Sequence, residues 1–230
     1  QAGTYTVTLT DNNNCIRTQT ITINEPAALA VSIGSPTNVL CNGLATGSVT
    51  ATATGGTVAS SYSYLWNDAS TQNTATASNL LAGTYTVTVE DDNGCQETAS
   101  ATITEPASAV DLASSAIVNV NCYGGSTGEF VVTATGGTSP YDISMTAPVT
   151  STITAASQTY SNLAANAYEV SVQDANGCID TVIVNITQGT QVTYTTVVTD
   201  ACNPNNDGSI TFTASGGTAP YQYSIDNGTT

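Results

Sequence analysis

Three short acidic stretches each run into a cysteine: Asp11-Asn12-Asn13-Asn14-Cys15, Asp91-Asp92-Asn93-Gly94-Cys95 and Asp174-Ala175-Asn176-Gly177-Cys178. Two chemistries fit such a cluster. Carboxylate and carbonyl oxygens suit a hard cation such as calcium. A thiol suits disulfide formation in an oxidising compartment. The candidate calcium ligands are Asp91, Asp92 and Asp174, with Asp207 in a further Asx-rich turn, "NPNNDG" from Asn203 to Gly208. No tip has the full spacing of an EF-hand loop. Asn-Gly is also a favoured type I′ hairpin turn, so each tip reads first as a plain turn, with calcium as the alternative.

The rest of the inventory is narrow. The 230 residues hold 17 Asp+Glu, one basic residue (Arg17) and no His, for a formal net charge of −16. Without His there is no Ser–His–Asp or Cys–His pair. Without Lys there is no Walker-type phosphate loop. Without clustered Lys and Arg there is no footprint for nucleic acid. A carboxylate-pair glycosidase would need an acidic pair that recurs with a long catalytic loop, and neither is present, so the chain reads as a non-enzyme. No apolar run is long enough to span a membrane as a helix. Only 8% of residues are charged and about a fifth are Thr, a β-branched residue that favours strands. Such a surface suits an extracellular β-protein.

The elements that must position the tips repeat. "CNGLATGSVTATATGGT" (Cys41 to Thr57), "CYGGSTGEFVVTATGGT" (Cys122 to Thr138) and "CNPNNDGSITFTASGGT" (Cys202 to Thr218) align, and "SYSYLW", "PYDISM" and "PYQYSI" follow in register. The period of roughly 80 residues is that of a small β-sandwich. Short alternating strands with Gly and Asn turns predict an all-β chain: tandem immunoglobulin-like antiparallel β-sandwich domains in a linear array. Within one unit the expected strands cover 29–41, 47–56, 62–68, 73–80, 83–91 and 95–104. Residues 27–106 and 107–189 make two complete repeats. Residues 1–26 supply the last two strands of a preceding repeat, and 190–230 the first three of a following one. The window is expected to come either from a longer repetitive chain or from a fibre subunit that polymerises head to tail by strand complementation.

Structural roles fall to recurring aromatics. Trp66 marks a core slot on the third strand, aligned with Met145 and Ile225. Tyr5, Tyr85 and Tyr168 each occupy the place of a tyrosine corner. Tyr62, Tyr64, Tyr141, Tyr221 and Tyr223 could stack on a surface polysaccharide, although strand alternation turns some of them into the core.

The motifs "C-x-G-G-x-x-G", "GGTxPYxYS" and "LxAGTYTVTVxDxNGC", closing on "TITEP", resemble the SprB-type repeat of giant cell-surface adhesins in gliding and related Bacteroidota. The resemblance implies a secreted, surface-displayed adhesin or fibre, exported by the type IX route and tied to gliding motility. It also points to glycosylation. Thr181 sits in an Asp-Thr-apolar acceptor pattern, and Asn185 and Asn227 open Asn-x-Thr patterns. The expected partners are neighbouring repeats, copies of the chain in a fibre, and a polysaccharide. Calcium at the domain junctions and covalent glycans are the only non-protein groups in view.

Six cysteines, Cys15, Cys41, Cys95, Cys122, Cys178 and Cys202, alternate between the turn after the first strand and the start of the last strand. In a sandwich these two places lie about one strand length, roughly 20 Å, apart. That is too far for a bridge inside one repeat. Cys41–Cys178 is therefore preferred as a staple between domains. Pairing inside each repeat, Cys41–Cys95 and Cys122–Cys178, stays as the alternative if the topology differs.

Overall fold

A computed structural model describes residues 1–147, 151–202 and 207–224. The chain divides into two compact units, Gln1–Glu105 and Pro106–Thr230. All regular structure among the described residues is β-strand, as the Thr-rich alternation requires.

The first unit opens with a hairpin, β1 (Gly3–Thr10) and β2 (Ile16–Ile23). A sandwich follows. One sheet has the order β3 (Ala30–Ile33), β4 (Gly47–Thr54), β6 (Thr76–Leu80). The other has the order β5 (Ser63–Trp66), β7 (Gly83–Glu90), β8 (Gln96–Ile103). Every second residue on the inner faces is apolar. Val49 and Ala51 of β4, Leu80 of β6, Trp66 of β5, Val87 and Val89 of β7 and Ile103 of β8 form one buried cluster. Burying each large side chain contributes about 1.5–3 kcal/mol.

The second unit repeats the plan. β9 (Asp111–Val118), β10 (Gly128–Thr135) and β13 (Ser157–Leu163) make one sheet, with β10 central. The other has the order β12 (Ser151–Thr154), β11 (Tyr141–Ala147), β14 (Asn166–Asp174), β15 (Ile179–Ile186). Phe130 is the centre of its core, with the Tyr160 and Tyr168 rings 5.3 and 5.8 Å away. A hairpin of β16 (Thr193–Thr199) and β17 (Ser209–Ser215) completes the described strands. In the first sandwich the first, second and fourth strands face the third, fifth and sixth; in the second, where β12 is added to one edge, the first, second and fifth face the third, fourth, sixth and seventh, and both follow immunoglobulin-like connectivity.

Three details differ from the sequence reading. The first strand, expected over 29–41, ends at Ile33. The Gly34 amide still donates to the Thr50 carbonyl at 3.0 Å, but Pro36 has no amide to give a ladder, and the next bridge is Thr37 to Ser48. The fourth strand starts at Thr76 rather than 73. The second repeat gains β12, which pairs Ile153 with Ile143 at the edge of β11. The longer stretch after Met145 leaves room for a strand that the first repeat lacks.

Candidate functional site

The acidic tips are built by one carboxylate each. Asp91 Oδ1 accepts the amides of Asn93 (3.0 Å) and Cys95 (2.8 Å). Asp174 Oδ1 accepts those of Asn176 and Cys178, both at 2.9 Å, and Asp11 Oδ1 those of Asn13 and Cys15, both at 2.8 Å. The turn is not the type I′ expected from Asn-Gly. The Gly94 amide donates to the Asp91 carbonyl at 3.0 Å, and only the residue before the cysteine has positive φ: Gly94 at 79°, Gly177 at 84°, Asn14 at 62°. This is a type I turn followed by a left-handed bulge residue. An Asp at the first position favours it, because its side chain caps the amides two and four residues on.

The second oxygen reaches across the sandwich. Thr57 N–H donates to Asp91 Oδ2 at 2.9 Å, and Thr138 N–H donates to Asp174 Oδ2 at 2.8 Å. The Thr57 carbonyl in turn accepts the Asp92 amide, and the Thr138 carbonyl that of Ala175. Asn93 and Asn176 add side-chain bonds to the hydroxyls of those same threonines. A Cβ on Gly56 or Gly137 would lie 2.6 Å from the carboxylate oxygen, so the approach requires glycine. The two most repeated motifs, Gly-Gly-Thr and Asp-x-Asn-Gly-Cys, are thus the two jaws of one clasp. Sequence reasoning missed the Thr57 and Thr138 side of it. The signal was there in the shared period, but the contact runs through backbone amides.

Amides from Thr57 and then Cys95 hold the Asp91 carboxyl below its ordinary 3.8, against the opposing effect of burial. The clasp is therefore fully formed above the unfolded carboxyl's pKa, and its contribution is lost as pH falls through the lower folded value. Melting curves of the chain should hold steady down to about pH 4 and fall below it. Asp91→Asn should flatten that fall for the first repeat, which separates the clasp from the general relief of repulsion in an acidic chain. The same carboxylate pushes the neighbouring Cys95 thiol up.

Oxygens already bound to amides are poorer ligands for a cation. Asp92 Oδ2 takes the Ala59 amide at 2.5 Å, and Asp207 Oδ1 takes the Cys202 amide at 2.7 Å. Among the described residues no three acidic, Cys or His side chains come together as a metal-binding group.

The aromatic positions close the fold. Tyr5, Tyr85 and Tyr168 donate their hydroxyls to the carbonyls four residues back, Gln1 (2.7 Å), Leu81 (3.1 Å) and Ala164 (2.8 Å). This is tyrosine-corner geometry. Trp66 is buried, and its indole N–H donates to the Thr74 carbonyl at 2.9 Å. Tyr62, Tyr141 and Tyr221 donate to the carbonyls of Gly55, Gly136 and Gly216, one latch in three registers.

The turn cysteines sit at the other end of the last strand. Val39 N–H donates to the Thr104 carbonyl, and Gly43 N–H to Glu105 Oε2 at 2.6 Å. In the second unit Val120 and Gly124 contact Thr187 and Gln188 in the same way. Cys95 immediately precedes the eight residues of β8, and Cys41 lies beyond their far end. That span is about 26 Å at ~3.3 Å per residue, far outside the reach of a disulfide. Cys41 and Cys178 are each disulfide-bonded, whereas Cys15, Cys95, Cys122 and Cys202 are exposed free thiols. The within-repeat pairs Cys41–Cys95 and Cys122–Cys178 are therefore not formed. Of the glycosylation candidates, Thr181 and Asn185 lie exposed on β15, and Asn227 lies outside the described residues.

Three segments of the chain, 33–71, 114–150 and 194–230, match the model of the SprB repeat. No curated protein matches the chain. A solved structure, the crystal structure of a tetra-tandem repeat in the extending region of a large adhesion protein, is 17% identical over 94% of this chain and 70% of that one. Its TM-score is 0.26, too low for the likeness to carry an argument.

Proposed function

We propose that the chain, three segments of which match the SprB repeat, is a non-enzymatic, structural segment of a bacterial cell-surface fibre or adhesin. Its repeats act as stiff beads that set a spacing. One observation carries this reading: the motifs that recur are engaged in closing sandwiches. The tip acids hold amides, the corner tyrosines hold carbonyls, and the glycines admit the carboxylates. Cys41 and Cys178, the two bonded cysteines, are read as one staple between consecutive repeats.

Pulling single molecules by their ends tests the spacer and the staple together. With Cys41 joined to Cys178, the roughly 137 residues between them, about 490 Å of extended chain, stay locked. Unfolding should release that length only after reduction. Full release from the oxidised chain, or a Cys41–Cys95 peptide in a non-reducing map, would overturn the staple. Unfolding of the reduced repeats without a resolved force peak would overturn the stiff bead.

Polysaccharide binding has less support, since Tyr62, Tyr141 and Tyr221 are latched to glycine carbonyls. The exposed Thr181 is kept as a proposed O-glycan site, to be read by intact mass of protein from its native source.

A further inference from the structure

We propose that each complete repeat carries a shear clamp: a short parallel patch between its first and last strands that resists tension along the chain. The clamp rests on the stiff-bead reading above and places the resistance in named bonds.

The first strand changes partners part-way along. In the second repeat β9 pairs with β10 as far as Val118, opposite Glu129. Two residues on, Val120 bridges Gln188 just past the end of β15, and the bridge is parallel. Ala116 has φ 49°, and the β9–β10 ladder shifts register between Glu129 and Val131. The left-handed conformation is costly for a residue with a Cβ. The bulge it makes bends the strand away from β10 and toward the other sheet. In the first repeat the break at Pro36 has the same result. Thr37 still bridges Ser48 of β4, and Val39 has crossed to Thr104, just past the end of β8.

The same bonds recur in both patches. Val39 N–H donates to the Thr104 carbonyl, and Val120 N–H to the Thr187 carbonyl, each at 2.9 Å. A side chain returns the bond. Thr104 N–H donates to Asn38 Oδ1 at 2.9 Å, and Thr187 N–H to Asn119 Oδ1 at 2.8 Å. The turn adds a third: Gly43 N–H to Glu105 Oε2 at 2.6 Å, and Gly124 N–H to Gln188 Oε1 at 2.7 Å. The second repeat has a fourth tie between the same two strands, Leu112 N–H to Asp180 Oδ2 at 2.7 Å. Val39 and Val120 are 2% and 4% exposed and belong to the two core clusters, so each patch is anchored in its own core.

Direction makes the patch a clamp. The chain enters a repeat ahead of the first strand and leaves it after the last. Tension therefore pulls the first strand toward its N-terminal end and the last strand toward its C-terminal end. In an antiparallel pair those two ends lie side by side, and the pair would open one bond at a time. In a parallel pair they lie at opposite ends. The strands must slide along each other, and every bond between them is strained at once. Forced unfolding is governed by the unfolding rate rather than by equilibrium stability. A few bonds that add little to stability can thus set the force at which a repeat gives way.

The staple and the clamps act in turn. Cys41 lies between Val39 and Gly43 of the first patch. With Cys41 joined to Cys178, residues 42–177 carry no tension. Neither Thr104 of the first patch nor Val120 of the second is then pulled. The clamps come under tension once that bond is reduced.

The test pulls the full chain by its ends in reductant and melts the same proteins without force. Asn119→Ala with Gln188→Ala removes two of the second repeat's four ties, and both side chains are exposed, so no core is lost. One of the two rupture peaks should then fall by roughly half, and the first repeat's peak should stay. Asn38→Ala removes one of the first repeat's three ties and should lower only the other peak, by roughly a third. Asp174→Ala is the comparison, because its clasp sits at the opposite end of β15. It should lower the second repeat's melting temperature more than the double variant does, and its rupture force less. That crossed order separates a clamp from a residue that merely stabilises the fold. Unchanged peaks in the clamp variants, or rupture forces that simply follow melting temperature, would overturn the clamp and leave the stiff bead standing. Reduced wild-type repeats with no resolved peak would overturn the bead and the clamp together. The reductant keeps the staple out of every outcome.

Discussion

Asp174→Ala should lower the melting temperature of the second repeat by roughly 12–24 °C, about 3 kcal/mol at 4–8 °C per kcal/mol for a domain this size. Asp174 is buried, and its carboxylate takes three amides, from Asn176, Cys178 and Thr138, at 2.8–2.9 Å. Hydrogen bonds to a charged acceptor contribute about 1.5–3 kcal/mol each. Water can reach the turn amides once the side chain is gone, so the net loss is smaller than three such bonds. Asn176→Ala is the graded control, since it removes the 2.9 Å side-chain bond to the Thr138 hydroxyl and leaves the acid in place. Calorimetry of the full chain should show the second repeat's transition moving and the first repeat's staying in place. A shift under about 4 °C would mean that the turn stands without its acid.

Much of the architecture was legible because alternation and burial obey the same period. The Val-x-Val of β7 and β14 pointed to one face in the sequence, and both pairs are buried. Tyr85 and Tyr168 announced their corners by position, and the bonds run four residues back. What stayed hidden is what passes through backbone. Nothing in the side chain of Thr57 reveals that its amide is the one Asp91 needs. Asn-Gly alone favours a type I′ turn, but the Asp at the first position caps the amides of Asn93 and Cys95, and that capping acid decides the geometry. Pro36 interrupts the alternating run 29–41, and β3 ends before it at Ile33. β12 was invisible for another reason: only one of the two complete repeats has it, so the period offered no second copy to compare.

Gly136→Ala should cost the second repeat at least as much as the loss of the acid, about 3 kcal/mol or more. Gly136 has φ 67°, and a Cβ there would overlap the Ala109 carbonyl oxygen, far inside van der Waals contact, and lie 2.8 Å from Ser108 Oγ. The obstacle is backbone, not the end of a flexible side chain, so relief requires moving the lead-in to β9. That lead-in also holds the Gly137 amide through the Ser108 carbonyl at 3.0 Å. Gly55 meets the Ala28 carbonyl in the same way, so Gly55→Ala should destabilise the first repeat in parallel. The informative measurement is the double variant. Gly136→Ala displaces the loop that presents the Thr138 amide, and Asp174→Ala removes the group that receives it. Two changes that break one contact cannot both lose its full value, so Gly136→Ala with Asp174→Ala should fall short of additivity by 1 kcal/mol or more in denaturant titrations. Strict additivity would show that the glycine pair and the acidic tip stabilise the sandwich independently, and the two motifs would then not be one device.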